Sequence, residues 1–435
     1  MPENSPQPRL GYAWYVAIVL MVMNTLSYVD RQILALLVGP IKHELGISDT
    51  QIGILQGLAF AVFYTVLGLP MGRIADHANR RNLISAGVFA WSIMTALCAG
   101  ARSFPMLFLA RLGVGVGEAT LGPSAFSLTS DYFPKERLGT ALSVFSAGIF
   151  IGSGLALIVG GAVIAAVTGL PSVTVPILGT IAPWRLTFIV VGLPGILGAL
   201  LMFTVREPIR RNAVQGGQQL SLTEVAREVR LRWQSVVGVC VGQSAQAMCV
   251  FALQAWLPTF FIRAFGWTPQ RTGITLGIII LTTGCLGMCA GGTLCDLWQK
   301  RGLREAPIKV GVVSTIGAGL CTCLALGFQY PLWTVALMIP AYFLFAMPVG
   351  SCYASLQLIF PNQLRGQVGA LLIFAINVGG MVMGPWLVGM LNDILGAQKV
   401  GYSLALAIGV ATTLSVTVFR RTYAPYRRHH ALMHP

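Results

Sequence analysis

Twelve long apolar runs, separated by short polar segments, account for most of the chain. A helix that crosses about 30 Å of hydrocarbon needs about 20 apolar residues, and these runs are long enough. The pattern therefore predicts an all-α membrane protein with twelve transmembrane helices. The predicted helices are 13–38, 51–71, 83–101, 105–130, 138–167, 185–205, 235–262, 270–291, 307–328, 332–359, 366–391 and 401–419.

The composition supports a membrane location. Of the 435 residues, 55% are hydrophobic and only 10% are charged, whereas a soluble domain has about 25% charged residues. The net charge is +15, but the basic residues fall in short gaps between apolar runs, which argues against nucleic-acid binding. Most of them lie in alternate gaps and near both termini, so the positive-inside rule predicts a multi-pass protein with cytoplasmic termini. The absence of an N-x-[ST] sequon favours a bacterial inner cell membrane.

The longest polar stretch divides the apolar runs into two groups of six. It contains six arginines and a short amphipathic run that ends near Trp233, which predicts a cytoplasmic helix lying at the membrane interface. The predicted organisation is an N-terminal six-helix bundle (1–205), a linker (206–234), a C-terminal six-helix bundle (235–420) and a cytoplasmic tail (421–435).

The two halves repeat each other. GRIADHANRR at 72–81 and GTLCDLWQKR at 292–301 share Gly, Asp and Arg at the same spacing. A second pair, FPKERLG at 133–139 and FPNQLRG at 360–366, lies at nearly the same offset. Parallel repeats of six helices are typical of one large group of transporters.

The first repeat resembles the loop signature of the major facilitator superfamily, G-x-x-x-D-x-x-x-R-R, with Asn79 where that family usually has Gly. RLGVGVGEA at 111–119 resembles the helix-four motif of the same family. YVDRQIL at 28–34 and GEATLGPSAFSLTSDYFP at 117–134 are most similar to spinster-type transporters, including bacterial ones. The resemblance implies a major facilitator fold, transport of lysolipids or sphingoid lipids, and proton coupling in bacterial members.

Four ionisable side chains fall well within the predicted helices: Asp30, Arg31, Arg111 and Glu118. A charge at this depth is costly unless it is paired or hydrated, so such residues commonly mark a transport pathway, although they can also simply hold helices together. We expect Asp30 and Glu118 to bind protons. Asp30 is expected to pair with Arg111 in one protonation state, and protonation would free Arg111 for an anionic headgroup. Arg31 and Tyr28 are expected to contact the substrate.

The C-terminal half lacks such charges and offers glutamines and aromatic residues on its seventh and tenth helices, among them Gln246 and Tyr353. The resemblance implies that helices one, four, seven and ten line the cavity. One wall would then be charged and the other apolar, which favours an amphipathic substrate. Helix packing is the alternative role for these aromatic residues.

The loop signature is expected to form a cytoplasmic gate. By resemblance, Asp76 would cap a helix N-terminus near Gly366 through the helix dipole. Arg81 or Arg73 would pair with Asp131 at the end of helix four. Simple positive-inside topology is the alternative explanation. The predicted gating set is Gly72, Asp76, Arg80, Arg81, Asp131, Asp296 and Arg301.

The sequence thus predicts a secondary active transporter that works by alternating access, is proton-coupled, and moves a lysolipid- or sphingolipid-like molecule. The alternative substrates are small organic anions or drugs, and a membrane sensor is a third hypothesis. No nucleophile elbow, metal-protease motif or Walker loop is present, so we expect neither an enzyme nor a cofactor. Almost all of the nine cysteines lie inside or at the ends of apolar runs, they lack metal-site spacing, and no metal is expected. The expected partners are the bilayer, protons and the substrate, and the chain is expected to be a monomer.

Overall fold

The computed structural model describes residues 10–168, 173–175, 179–210, 222–328, 330–361 and 364–433. Within them, twelve helical segments are long and apolar enough to cross a membrane. The predicted all-α membrane fold is confirmed. Numbered in chain order, spans 1 to 12 are Leu10–Leu36, Asp49–Gly68, Arg80–Gly100, Phe104–Tyr132, Arg137–Val167, Pro183–Thr204, Trp233–Phe265, Pro269–Lys300, Ala306–Gly327, Pro331–Leu358, Arg365–Leu395 and Ala397–Met433.

Several spans are built from more than one helix. Span 2 is interrupted at Gly57, and span 10 restarts at Pro348, which has no backbone N–H to donate within the helix. The helices of the interrupted spans are Leu10–Gln32 with the 3₁₀ turn Ile33–Leu36, Asp49–Gln56 and Leu58–His77, Phe104–Glu118 and Leu121–Tyr132, Pro331–Ala346 and Pro348–Leu358, and Arg365–Ile376, the π-helix Asn377–Val382 and Met383–Leu395.

The remaining spans are nearly continuous. Their helices are Arg80–Leu97 with Cys98–Gly100, Lys135–Thr168, Pro183–Leu201 with Met202–Thr204, Trp233–Phe265, Pro269–Lys300, Ala306–Gly327, and Ala397–Lys399 with Val400–Met433. The last helix continues through most of the predicted tail. Two shorter helices are Val38–Leu45, after span 1, and Leu222–Leu231, which is the predicted amphipathic helix of the linker.

A small β-hairpin joins spans 5 and 6. Its strands are Val173–Val175 and Gly179–Ile181, and they pair antiparallel with Val173 opposite Ile181. The sequence analysis predicted no strand here.

The contacts divide the chain into two units. Unit 1 contains the residues up to Leu34 and the chain from Val62 into the linker. Inside unit 1, spans 3 and 4 pack backbone to backbone, because a Cβ on Gly117 would lie 2.8 Å from the Gly87 carbonyl oxygen. Small residues allow such close approach between helices in a bilayer.

Unit 2 contains residues 35–61 and the chain from Gly217 onward. An apolar core of unit 2 is built from spans 7, 9, 10, 11 and 12, with Phe360, Phe419 and Tyr426 fully buried. The segment 35–61, which includes the start of span 2, packs against span 11. A Cβ on Gly53 would overlap the main chain at Pro385, and one on Gly389 would overlap the main chain at Asp49.

Candidate functional site

The four charged residues predicted inside the membrane all lie in the interior of unit 1. Asp30 is 2% exposed, Arg111 1% and Glu118 1%, and the side chain of Arg31 is 12% exposed. They come from span 1 and from the first helix of span 4. Four ionisable groups so thoroughly removed from water have to be stabilised by one another or by polar neighbours.

Arg31 and Glu118 form the central ion pair. Arg31 Nη2 lies 2.5 Å and Nε 2.7 Å from Glu118 Oε2, and the hydroxyl of Ser27 donates to the same oxygen. The guanidinium carbon of Arg31 also lies 4.8 Å from the ring centre of Tyr28 and 4.7 Å from that of Tyr64. Two aromatic rings and a carboxylate therefore stabilise the charge of Arg31.

Arg111 contacts Asp30 through the main chain. Arg111 Nη1 donates to the Asp30 carbonyl oxygen at 3.0 Å, while Arg111 Nε and Nη2 and Asp30 Oδ1 have no hydrogen-bond partner among the described residues. Trp91 and Thr95 of span 3 face the Asp30 carboxyl group. The expected Asp30–Arg111 side-chain pair, tied to one protonation state, is thus not the arrangement seen here, where Arg31 and Glu118 are paired instead.

The sequence around span 4 explains why these groups share a site. Arg111 and Glu118 are seven residues apart, which places both on one face of the helix. Gly117, beside Glu118, allows span 3 to approach the helix closely. The carboxylate of Glu118 lies at the last residue of Phe104–Glu118, before the chain restarts as Leu121–Tyr132.

The predicted substrate residues of the C-terminal half lie in unit 2. The side-chain amide of Gln246 is buried and donates to the carbonyl oxygen of Phe345 at 3.0 Å, so it links spans 7 and 10. Tyr353 is half-buried and packs against the apolar core of unit 2. Both contacts are those of packing residues.

The loop signature forms a charge network within unit 1. Arg80 Nη1 lies 2.5 Å from Asp131 Oδ2, and Arg80 Nε lies 2.7 Å from Glu207 Oε1. Arg80 is thus the partner that the structure shows for Asp131, where the sequence analysis expected Arg81 or Arg73. Neighbouring helical residues point about 100° apart, so Arg80 faces the interior, while Arg81 stays on the outer face and donates to Asn82.

Asn79, which departs from the family signature, has a structural role. Its side-chain oxygen accepts from the main-chain N–H of Asn82 at 3.0 Å and caps the helix Arg80–Leu97. A capping side chain thus begins span 3 where the family usually has glycine.

Two residues that the sequence analysis did not identify complete the network. Glu207 also accepts from the main-chain N–H of Arg81 at 3.1 Å. Arg210 donates to the carbonyl oxygens of Ala75, Asp76 and Ala78, which lie at the C-terminal end of span 2's second helix. A cation there complements the helix dipole. The available signal was the run of charges directly after span 6.

The other predicted gating residues have no comparable setting. The side chains of Asp76, Asp296 and Arg301 are exposed, and Gly72 lies within the helix Leu58–His77. The contact between Asp76 and the helix near Gly366 remains a prediction.

Tyr64 is a further residue of the charge cluster, because its ring contacts Arg31 directly. The sequence analysis missed it because an aromatic residue in an apolar run has no distinguishing pattern.

Comparison with known proteins identifies relatives along nearly the whole chain. It is 28% identical to an MFS-type efflux pump of Mycolicibacterium smegmatis, with 96% of this chain and 94% of the relative covered. It is 27% identical to a D-galactonate transporter of Escherichia coli (95% and 96% covered). It is 26% identical to the sphingosine-1-phosphate transporter SPNS2 of Xenopus tropicalis (95% and 82% covered).

The fold is similar to that of a bacterial homologue of the human lysosomal transporter Spinster, solved in an inward-facing, unoccupied conformation. The TM-score is 0.81, the identity is 24%, and 98% of both chains is covered. The resemblance to spinster-type transporters noted in the sequence is confirmed at the level of fold and of named relatives.

Within the described residues, twelve helical spans together with a cluster of charged side chains buried in unit 1 indicate a multi-pass membrane transporter and not an enzyme. The model of the Major Facilitator Superfamily matches residues 20–383. The chain belongs to the Major Facilitator Superfamily.

Proposed function

We propose that this protein is a proton-coupled transporter of an amphipathic anion, and that the cluster of Asp30, Arg31, Arg111 and Glu118 performs the coupling. The observation that carries the proposal is the buried Arg31–Glu118 pair, whose two atoms lie 2.5 Å apart. The Glu118 carboxylate of this pair can be neutralised by a proton or replaced at Arg31 by another anion, and only four ionisable side chains fall well within the predicted helices.

The proposed coupling is a competition at Arg31. A proton on Glu118 removes the negative charge that holds Arg31, and Arg31 becomes available to an anionic group of the substrate. Loss of the proton restores the pair and expels the anion. Arg111 and Asp30, which have unpaired polar atoms beside this pair, would take part in the transfer of charge. The direction of transport follows from the face at which the proton leaves.

A lysolipid- or sphingolipid-like substrate is supported by the similarity to SPNS2, which is named as a sphingosine-1-phosphate transporter. The phosphate group of such a substrate would replace Glu118 as the partner of Arg31. The aromatic residues of spans 7 and 10 would suit an apolar tail, although Gln246 and Tyr353 are engaged in packing in this structure.

Small organic anions or drugs are the second candidate class. The relatives named as a D-galactonate transporter and as an efflux pump support it. A sugar acid and a lysolipid share the anionic group that Arg31 would bind, so the site chemistry is common to both, and the apolar tail distinguishes them.

The test is flux into liposomes that contain the purified protein and carry a proton gradient, with labelled lysophospholipid and labelled galactonate offered in parallel. We expect gradient-dependent lysophospholipid flux that is lost in Asp30→Asn and Glu118→Gln and retained in Arg102→Gln, an exposed residue outside the site. Flux of galactonate alone would reassign the substrate to the second class. Proton-driven flux that survives both acidic substitutions would reject the coupling scheme.

We further propose that the protein lies in the inner cell membrane as a monomer, with both termini in the cytoplasm. The distribution of basic residues supports this orientation. A protease-cleavable tag after residue 435 should be cut in inside-out vesicles and protected in intact spheroplasts, and the reverse result would invert the topology.

A further inference from the structure

Span 3 presents two hydrogen-bond donors to the Asp30 carboxyl group. Trp91 and Thr95 are four residues apart, so they lie on one face of the helix Arg80–Leu97. Both side chains are fully buried, and both face the carboxyl group of Asp30 on span 1. The sequence analysis did not identify either residue, because an uncharged side chain in an apolar run does not stand out.

The hydrogen bonds of these groups are incomplete in this structure. Trp91 Nε1, Thr95 Oγ1 and Asp30 Oδ1 have no hydrogen-bond partner among the described residues. A buried indole N–H usually finds an acceptor, and an unpartnered buried polar group costs free energy. Two unused donors beside an unused carboxyl oxygen therefore indicate contacts that are complete in another state of the site.

The two donors differ in their chemistry. An indole N–H can only donate, whereas a threonine hydroxyl can both donate and accept. An ionised Asp30 can accept from both in charge-assisted hydrogen bonds, which are about twice as strong as neutral ones. A protonated Asp30 can instead donate to the Thr95 hydroxyl, and the indole N–H then has only a neutral acceptor. Trp91 is therefore the residue whose bond depends most on the charge of Asp30.

Trp91 is held firmly between neighbouring helices. A Cβ on Gly117 of span 4 would lie 2.8 Å from both the Cβ and the main-chain nitrogen of Trp91. On span 6, a Cβ on Gly195 would lie 3.8 Å from Trp91 Nε1. Because the indole has a fixed place, a hydrogen bond to it would fix the place of the Asp30 carboxyl group.

Ionisable groups of other helices also face Asp30. They are Arg111 and Glu118 of span 4 and the thiol of Cys98 at the end of span 3. Span 5 has no ionisable side chain at 138–168, and span 6 carries Arg185, which donates to the carbonyl oxygen of Ala99 at 2.7 Å. Trp91 and Thr95 thus add neutral donors to a charged set.

We propose that Trp91 and Thr95 are positioning residues for Asp30. Both donate to the carboxylate when Asp30 is ionised, and the indole bond weakens when Asp30 takes up a proton. Arg111 Nη1 is bonded to the main-chain oxygen of Asp30, which leaves the carboxyl oxygen Oδ1 to span 3. This inference rests on the proposed function, in which Asp30 binds protons.

The first experiment follows the indole N–H of Trp91 by NMR. The full-length protein, labelled with ¹⁵N in its nine tryptophans, is held in nanodiscs, and the resonance missing in Trp91→Phe is assigned to Trp91. We expect its proton to shift downfield as the pH is raised, because a carboxylate accepts more strongly than a carboxylic acid. In Asp30→Asn, which cannot ionise, the same resonance should not move. The resonance of the exposed Trp233, assigned with Trp233→Phe, should be the same in Asp30→Asn as in the wild type.

The second experiment tests Thr95 and does not require the Trp91→Phe protein to fold. The infrared band of the protonated Asp30 carboxyl group is the one that disappears in Asp30→Asn. We expect this band to shift to higher frequency in Thr95→Val, which removes the hydroxyl, and to return in Thr95→Ser. Thr129→Val removes a buried hydroxyl that donates to Ala125 within span 4, and it should leave the band unchanged.

A Trp91 resonance that ignores pH in the wild type, or that moves equally in Asp30→Asn, would overturn the role of Trp91. An Asp30 band that is the same in Thr95→Val as in Thr129→Val would overturn the role of Thr95. Neither readout needs substrate or a proton gradient. Flux that is lost in Asp30→Asn, together with a Trp91 resonance that ignores pH, would reject the positioning role alone. The expected spectra with flux that survives Asp30→Asn would reject the coupling scheme alone.

Discussion

Replacing Glu118 with Gln removes the carboxylate that pairs with Arg31 but keeps the shape of the side chain. Arg31 then retains its positive charge in a largely buried position, with two nitrogens that had been 2.5 and 2.7 Å from a carboxylate oxygen. Breaking a buried ion pair from one side costs about 3–5 kcal/mol, because the remaining charge is left uncompensated. We expect Glu118→Gln to lower the free energy of unfolding by about 3 kcal/mol, the low end of that range, because Tyr28 and Tyr64 still contact the guanidinium.

The matching substitution Arg31→Met leaves the Glu118 carboxyl group without its cation. Because a proton can neutralise this group, the substitution should cost less than Glu118→Gln. Removing both charges in Arg31→Met/Glu118→Leu should cost much less than the sum of the two single changes, since no uncompensated charge remains. The double-mutant cycle should give a coupling free energy of about 3 kcal/mol. Reversible unfolding in mixed micelles, followed by tryptophan fluorescence, gives the free energy of unfolding of all four proteins. Single effects that simply add to within about 0.5 kcal/mol would show that the two residues do not interact, and would refute this account of the site.

Two further predictions concern the surroundings of this pair. Tyr64→Leu removes one of the two rings that contact Arg31 and should cost about 1–2 kcal/mol of stability, while Tyr64→Phe, which keeps a ring, should recover most of it in the same unfolding assay. Gly117→Ala forces a Cβ against main-chain atoms and should cost about 1–3 kcal/mol, whereas Gly113→Ala meets only the flexible side chain of Met94 and should cost clearly less. Equal effects at the two glycines would contradict the packing described for spans 3 and 4.

The twelve spans could be predicted because a lipid bilayer requires long apolar helices, and this requirement is visible in the sequence without knowledge of tertiary contacts. The ends of the spans could be predicted less accurately. Span 12 continues as a helix to Met433, well past residue 419, because a helix can leave the hydrocarbon while its polar turns remain hydrogen-bonded internally. The paired strands Val173–Val175 and Gly179–Ile181 have no such constraint, and these short strands carry no pattern that distinguishes them from a loop.

The candidate site was predicted by residue but not by pairing. Burial cost alone identified Asp30, Arg31, Arg111 and Glu118. Which acid meets which base depends on the rotation of span 1 against span 4, and neighbouring residues on a helix differ by about 100°. The same uncertainty about helix rotation explains why the sequence analysis named Arg81 and not Arg80 as a partner of Asp131. Tyr64 could be identified only from its contact with Arg31 in the structure.

The first residues of the linker determine where the chain can be divided into two separately expressed halves. Glu207 is bonded to the start of span 3 and Arg210 to the segment just before it, so both belong physically to the N-terminal half although they follow the last span of that half. If the chain is divided after Val205, Glu207 and Arg210 become part of the other polypeptide. Two separately expressed halves should therefore reassemble more readily when the break is placed beyond Arg210.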